Sequence, residues 1–316
     1  MIWSYLIHLS THMWDDENTP PRGWYLPPRY TPENNVDLTV WDDTVDFLAA
    51  HGFNMVLVDV GDGMKYESHP DVSAPDAWDK DFLKKKLGEM RAKGLEPIPK
   101  LNFSAGHHTW LKEYRRMVSS KIYYEVCADL IGEVCEVFDS PRLFHLGMDE
   151  ETDSICSQWD ISVIRRSTML WHDFYFFFDE CAKHGMRPWV WSDYYWWGSA
   201  KLFAEKMPRD VLQSNWYYRN FTNLPENDMY YRNIKCYEDL DKLGFEQVPT
   251  ASTCSTSLNA LQTMEHCSRK LSKDKLLGYM TAPWYFCRDD EKYILLNDAY
   301  RFCKAREKVY PESLGK

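Results

Sequence analysis

No run in this sequence reaches the roughly 18 to 20 consecutive apolar residues that a bilayer-crossing helix needs, so no helical membrane span is expected. Basic residues are outnumbered, 37 Lys and Arg against 48 Asp and Glu, for a net charge of −11. Binding a phosphate backbone needs a basic stripe, and the densest basic run, Lys84-Lys85-Lys86, falls on the solvated face of an expected helix. A nucleic-acid partner is therefore not expected. No G-x-G-x-x-G or Walker loop follows the first strand, which counts against a nucleotide fold. The nine cysteines, at 127, 135, 156, 181, 236, 254, 267, 287 and 303, show no C-x-x-C spacing and read as reduced buried thiols rather than a disulfide framework or zinc site. That favours a cytoplasmic location. Met1-Ile2-Trp3-Ser4-Tyr5 enters a strand at once, without a charged and apolar leader, although a leader removed upstream would make the location periplasmic or secreted.

Aromatic surface is present in excess. Aromatic residues make up 16% of the chain, with 14 Trp and 20 Tyr, more than a core of this size requires. Trp and Tyr combine a flat apolar face with a polar tip, which suits the walls of a site that stacks on sugar rings.

Eight strands are expected, at 2–9, 54–60, 95–103, 142–148, 187–193, 211–215, 247–252 and 276–283. Helical spacing or capping signals place helices at 37–50, 81–93, 121–138, 161–184 and 291–308 between and after them. A long loop rich in proline and aromatics, about 10–37, follows strand one. Strict alternation without a linker, in a chain of 316 residues, points to an α/β fold. The expected architecture is a (β/α)8 TIM barrel forming a single domain over 1–316, because such barrels take about 250 residues plus insertions.

In such a barrel, chemistry sits where strands end. His8 to His12 follow strand one, Asp59 and Asp62 strand two, and Asn102, His107 and His108 strand three. The fourth strand closes in three carboxylates, Asp149-Glu150-Glu151. Trp191 and Asp193 follow strand five, Trp216-Tyr217-Tyr218 strand six, Thr253 and Ser255 strand seven, and Trp284-Tyr285 strand eight. Tryptophans and carboxylates at one mouth are the profile of a carbohydrate site. Strand one lacks an H-x-H pair and strand eight ends in Ala282-Pro283-Trp284, so neither a metal nor another cofactor is expected.

A retaining glycosidase ordinarily needs a nucleophilic carboxylate about 5 Å from its acid/base, yet Val248-Pro249-Thr250-Ala251-Ser252-Thr253 supplies none. Asp149 and Glu150 are neighbours, and an extended chain would aim them to opposite sides. Substrate-assisted hydrolysis uses such neighbours: a 2-acetamido oxygen attacks its own anomeric carbon, one carboxylate holds the acetamido group and the other protonates the leaving oxygen.

The chain resembles the catalytic barrel of the glycoside hydrolase family 20 β-N-acetylhexosaminidases. The family's H-x-G-G-D-E is met by His145-Leu146-Gly147-Met148-Asp149-Glu150, with Met148 for one glycine. Its P-E-x-D-x-P-G-H is met loosely by Pro99-Lys100-Leu101-Asn102-Phe103-Ser104-Ala105-Gly106-His107, with both acids lost. No arginine follows strand one and no glutamate follows Trp284, where the family places them. The resemblance implies that Asp149 orients the acetamido group and that Glu150 is the general acid/base. It further implies that Trp191, Trp216 and Trp284 wall the acetamido pocket, and that Tyr217 or Tyr218 bonds the acetamido oxygen. The partner it implies is a carbohydrate, the non-reducing end of a glycan or oligosaccharide.

His107 is expected to touch substrate or a catalytic carboxylate, and Asp193 to hold a sugar hydroxyl or cap a turn. His145 is expected to point inward, Glu151 to start a helix or support the pair, and Asp59 and Asp62 to structure loops. Two alternatives remain: a glycosidase on a plain sugar using Glu150 with Asp193 or Asp59, and a glycan-binding barrel with weak catalysis.

Overall fold

The computed structural model describes residues 1–17, 19, 30–221 and 224–314. Strands form where apolar runs are buried on both faces, as in β2 (Met55–Asp59), all five residues of which are buried. The order along the chain is β1 (Ile2–His8), α1 (Leu38–Ala50), β2, α2 (Lys80–Ala92), β3 (Glu96–Lys100), α3 (Lys121–Val137), β4 (Leu143–His145), α4 (Asp153–Cys156) and α5 (Ser167–Lys183). It continues with β5 (Arg187–Trp191), α6 (Tyr194–Trp197), α7 (Ala200–Lys206), β6 (Leu212–Ser214), α8 (Tyr231–Lys242), β7 (Thr250–Ala251), α9 (Asn259–Lys270), β8 (Gly278–Thr281) and α10 (Lys292–Val309).

The eight strands run parallel in the order β6-β5-β4-β3-β2-β1-β8-β7. The remaining seam is bridged at Gln213 with Gln247 and at Trp216 with Thr250, where the amides of Val248 and Thr250 donate to the carbonyls of Gln213 and Asn215. The strands thus close in chain order into a (β/α)8 barrel. Period-two alternation divides their side chains: Leu6, Leu57, Ile98, Leu143, Leu212 and Met280 fill the interior, while Tyr5, Val56, Phe144, Val190 and Tyr279 pack outward into the core shared with the helices.

Helix starts obey local chemistry. The Asp37 carboxylate accepts from the Thr39 and Val40 amides, and Asp79 and Ser120 cap α2 and α3 in the same way. The structure corrects the expectation of one helix over 161–184: α5 begins only at Ser167, because Arg165 is drawn back to Glu151. Helices α8 and α9 went unassigned in the sequence, although Ala260, Met264 and Cys267 have the spacing of a buried helical stripe. All nine cysteines are free, and only Cys254 is exposed. No helix among the described residues is long and apolar enough to cross a membrane.

Much of the loop expected at 10–37, including Pro20, Pro21, Trp24, Tyr25, Pro27 and Pro28, lies outside the described residues. Its described ends are fastened across the barrel mouth by His12. His12 Nδ1 lies 2.6 Å from Asp62 Oδ2 and Nε2 lies 2.6 Å from the Thr31 carbonyl, so both ring nitrogens face acceptors. Burial opposes a charged ring and the nearby Lys112 adds to that, but the Asp62 hydrogen bond and charge outweigh them and raise the His12 pKa. A raised histidine pKa means stabilisation that is complete below the unfolded value and fades as pH rises through the folded one. Protection of the Thr11 and Asn34 amides, measured relative to the intrinsic exchange rate at each pH, is therefore expected to fall in the wild type as pH rises through the raised His12 value, by on the order of tenfold for a charge-assisted bond. In His12→Asn that protection should be low at every pH, and a wild-type protection that does not change with pH would refute the latch.

Candidate active site

The chain leaving β4 abandons extended geometry at once. Gly147 and Met148 take φ of 69° and 68°, and Glu150 takes 49°. Gly147 is required here, since a Cβ would sit 2.1 Å from Asn102 Oδ1. That close approach lets Asn102 grip the turn. Its Oδ1 accepts from the amides of Met148 (3.2 Å) and Ser104 (3.1 Å), and its Nδ2 donates to Asp149 Oδ1 at 2.8 Å.

The left-handed residues also overturn the expectation that Asp149 and Glu150 point to opposite sides. His107 Nε2 stands 3.1 Å from Asp149 Oδ2 and 3.3 Å from Glu150 Oε2, so one imidazole spans both carboxylates. Asp149 is buried, whereas the Glu150 side chain is 32% exposed and reaches solvent. Burial pushes the Asp149 pKa up, whereas a charged His107 beside it, the His107 hydrogen bond and the Asn102 amide would together bring it below the usual carboxylate value.

Glu151 turns away from the mouth. It accepts from the Ala105 amide at 3.0 Å and from the Arg165 guanidinium, which also bonds Asp173 and the Phe103 carbonyl. It supports the pair from behind instead of starting a helix. Nothing in the sequence pattern had singled out Arg165.

Asp193, fully buried after β5, accepts at Oδ2 from the Glu150 amide and from Trp197 Nε1, both at 2.8 Å. Burial first, and then the charges of Asp149 and Glu150, push its pKa well above the ordinary carboxylate value. Asp193 therefore braces the backbone of Glu150 in surroundings that disfavour its ionised form, and its Oδ1 is left without a protein partner. Asp59, expected to structure a loop, instead ends β2 facing a buried cation. Burial raises its pKa, yet the Lys100 ammonium at 2.6 Å and His8 at 3.1 Å bring it down to about 2.

Aromatic rings close the mouth. Trp191 lies 4.5 Å from His145 and 5.9 Å from Trp284, which in turn lies 6.2 Å from Tyr218. Trp216 stacks on Tyr218 at 5.0 Å. Of the two neighbouring tyrosines, Tyr218 takes the mouth, while Tyr217 packs on Phe221 and Tyr230 in the outer layer, as alternation along an extended segment requires. The buried polar atoms Trp191 Nε1, Trp284 Nε1, Tyr218 Oη, Asp193 Oδ1 and His145 Nε2 have no protein partner. A buried polar group left unpaired costs about 1–3 kcal/mol, so five gathered at the C-terminal ends of the strands mark a place where a polar ligand would supply missing partners.

His107, Asp149 and Glu150 offer ligand atoms within 4.8 Å of one another, close enough to surround a cation. The surroundings do not suit one. A metal-bound imidazole donates its other N–H to an acceptor, whereas His107 Nδ1 faces a donor, Trp14 Nε1, at 2.7 Å.

No family model matches the sequence, and no curated protein matches it. Solved structures do. A family 20 β-N-acetylhexosaminidase from Streptomyces coelicolor A3(2) superposes with a TM-score of 0.62 at 10% identity, over 99% of this chain and 69% of that one. A mutant β-hexosaminidase of Streptomyces plicatus in complex with its product GlcNAc gives 0.63 at 11%, over 99% and 68%. The β-N-acetylhexosaminidase of Bacteroides fragilis NCTC 9343 gives 0.59 at 10%, over 99% and 70%. The fold is that of the family 20 barrel. Within it, Asp149 and Glu150 follow β4, Trp191 ends β5, and Trp216 and Trp284 follow β6 and β8.

Proposed function

We propose that the chain is a glycoside hydrolase of the β-N-acetylhexosaminidase kind, exo-acting and retaining, with the substrate's own acetamido oxygen as nucleophile. The observation that carries this reading is the adjacent pair Asp149 and Glu150, one buried and one reaching solvent, set side by side on His107, with Trp191, Trp216 and Trp284 at the ends of β5, β6 and β8.

In this reading the acetamido N–H donates to Asp149, which aims the acetamido oxygen at the anomeric carbon and offsets the positive charge that develops on the nitrogen. Tyr218 Oη and the indole N–H groups of Trp191 and Trp284, which have no protein partner, are in this reading the donors to that oxygen. The exposed Glu150 protonates the leaving oxygen and afterwards takes a proton from the incoming water, so configuration is retained. The remaining acids do not fit an ordinary nucleophile. Asp193 is buried with its ionised form disfavoured and its Oδ2 engaged by the Glu150 amide and Trp197, and Asp59 is locked to Lys100.

Aryl β-N-acetylglucosaminide and β-N-acetylgalactosaminide, assayed beside the matching glucoside and galactoside, provide the test. Turnover confined to the acetamido sugars is expected. Cleavage of the plain glycosides would rule out acetamido participation, and binding of N-acetyl sugars without any turnover would move the chain to the class of glycan-binding barrels.

A further inference from the structure

His107 is the hinge of the candidate site, and its protonation decides what the two carboxylates can do. Asp149 and Glu150 face its Nε2 from the β4 side, Trp14 faces its Nδ1 from the loop after β1, and His108 adjoins it in sequence. Farther out, Lys100 on β3 acts on Asp149, and Asp193 after β5 lies in the field of Asp149 and Glu150. Trp14 is itself well fixed. Its ring lies 6.1 Å from those of His8, Trp284 and Phe286, and it meets the His107 ring at 79°, edge-on, with Nε1 2.7 Å from Nδ1.

We propose that Trp14 is a positioning residue that denies His107 Nδ1 a proton, fixes the ring as the neutral Nε2–H tautomer, and so leaves the cluster's second proton to the Asp149 and Glu150 pair. Two protons can be distributed over these three groups in two ways. Either His107 is an imidazolium between two carboxylates, or it is a neutral ring between one carboxyl and one carboxylate. Burial disfavours the imidazolium, but the charges and hydrogen bonds of Asp149 and Glu150 outweigh it and, were Nδ1 free to take a proton, would raise the His107 pKa to about 10. The hydrogen-bond geometry decides the other way. An indole N–H can only donate, so a protonated Nδ1 would put two donors face to face at 2.7 Å inside a buried site. Moving that proton across the ring to the carboxylates removes the conflict and leaves Nε2–H 3.1 Å from Asp149 Oδ2 and 3.3 Å from Glu150 Oε2. A general acid must hold a proton before the leaving group departs, and this arrangement delivers one. The catalytic consequence rests on the function proposed above, whereas the tautomer does not.

Nitrogen-15 NMR of the full chain labelled at histidine, with the His107 signals assigned by their loss in His107→Gln, reads the tautomer directly. The expected wild-type result is an unprotonated Nδ1 and a protonated Nε2 from about pH 5 to pH 8. In Trp14→Phe, which keeps a ring but lacks the N–H, both nitrogens should carry protons over most of that range. The alkaline limb of the kcat/KM profile should then fall by about one pH unit and kcat by about tenfold, with KM little changed. An imidazolium in the wild type would overturn the proposal, as would a tautomer that Trp14→Phe leaves unaltered. If the variant fails to fold, the wild-type spectrum still decides whether Nδ1 is free of a proton. The predicted tautomer in a protein inert toward N-acetyl sugars would uphold the inference and reject the function.

Discussion

Glu150→Gln is expected to lower kcat/KM on a β-N-acetylhexosaminide with a poor leaving group by about a thousandfold, and by less on an activated aryl substrate. The difference follows from the role of the carboxyl group, because an aryl oxide that departs without protonation has little need of an acid. The amide is isosteric and Glu150 is partly exposed, so neither fold nor ligand binding should suffer. Its backbone N–H, which Asp193 grips, is also retained. The comparison of the two leaving groups carries the test. A uniform loss on both substrates would point to a distorted site, and wild-type rates on both would remove Glu150 from catalysis. Asp149→Asn should behave differently, with a large loss of kcat on both substrates, since in the proposed mechanism the acetamido oxygen displaces the leaving group, one bond forming as the other breaks, whatever that group is.

Arg165→Met is expected to destabilise the protein by about 3–5 kcal/mol, the range for breaking a buried ion pair from one side. On a chain of this size that lowers the melting midpoint by on the order of 10 °C. The Arg165 side chain is 1% exposed, and Glu151 and Asp173 are equally buried. Burial alone would strip charge from Arg165, but the Glu151 and Asp173 carboxylates hold its pKa well above the normal value. Without it, Glu151 retains the Ala105 amide as a donor, and Asp173 retains Ser119 and Tyr124. Two carboxylates would then share the interior without a cation. Arg165→Lys should recover only part of the loss, because an ammonium cannot span both acids and the Phe103 carbonyl as the guanidinium fork does. Arg165→Met combined with Glu151→Gln and Asp173→Asn should recover more. An unshifted midpoint in the single variant would show that the network contributes nothing. Turnover should fall with stability, since the network anchors both the strand-three loop bearing His107 and the residue following Glu150.

The barrel was legible because its signals are local. A strand buried on both faces must be apolar throughout, as β2 is, and a helix must start where a side chain can accept its free amides, as at Asp37, Asp79 and Ser120. The acidic end of strand four, His107 after strand three and the tryptophans after strands five, six and eight followed from the same periodicity. The choice between Tyr217 and Tyr218 did not, because it depends on where the chain leaves the short strand β6, and the seam to β7 is held by isolated bridges.

The sequence by itself determined the alternation of strands and helices, and with it the rim on which the carboxylates and tryptophans gather. Only the tertiary structure decided how they meet. Left-handed backbone at Gly147, Met148 and Glu150, held by Asn102 and Asp193, turns two carboxylates that an extended strand would separate toward one histidine. Arg165 and Trp14, distant in sequence from the residues they hold, are drawn in through Glu151 and His107. The physical reason is range. Periodicity and capping act over a few residues and leave their mark on composition, whereas a proton's seat or a buried charge's partner is fixed by groups that only folding brings within a hydrogen bond.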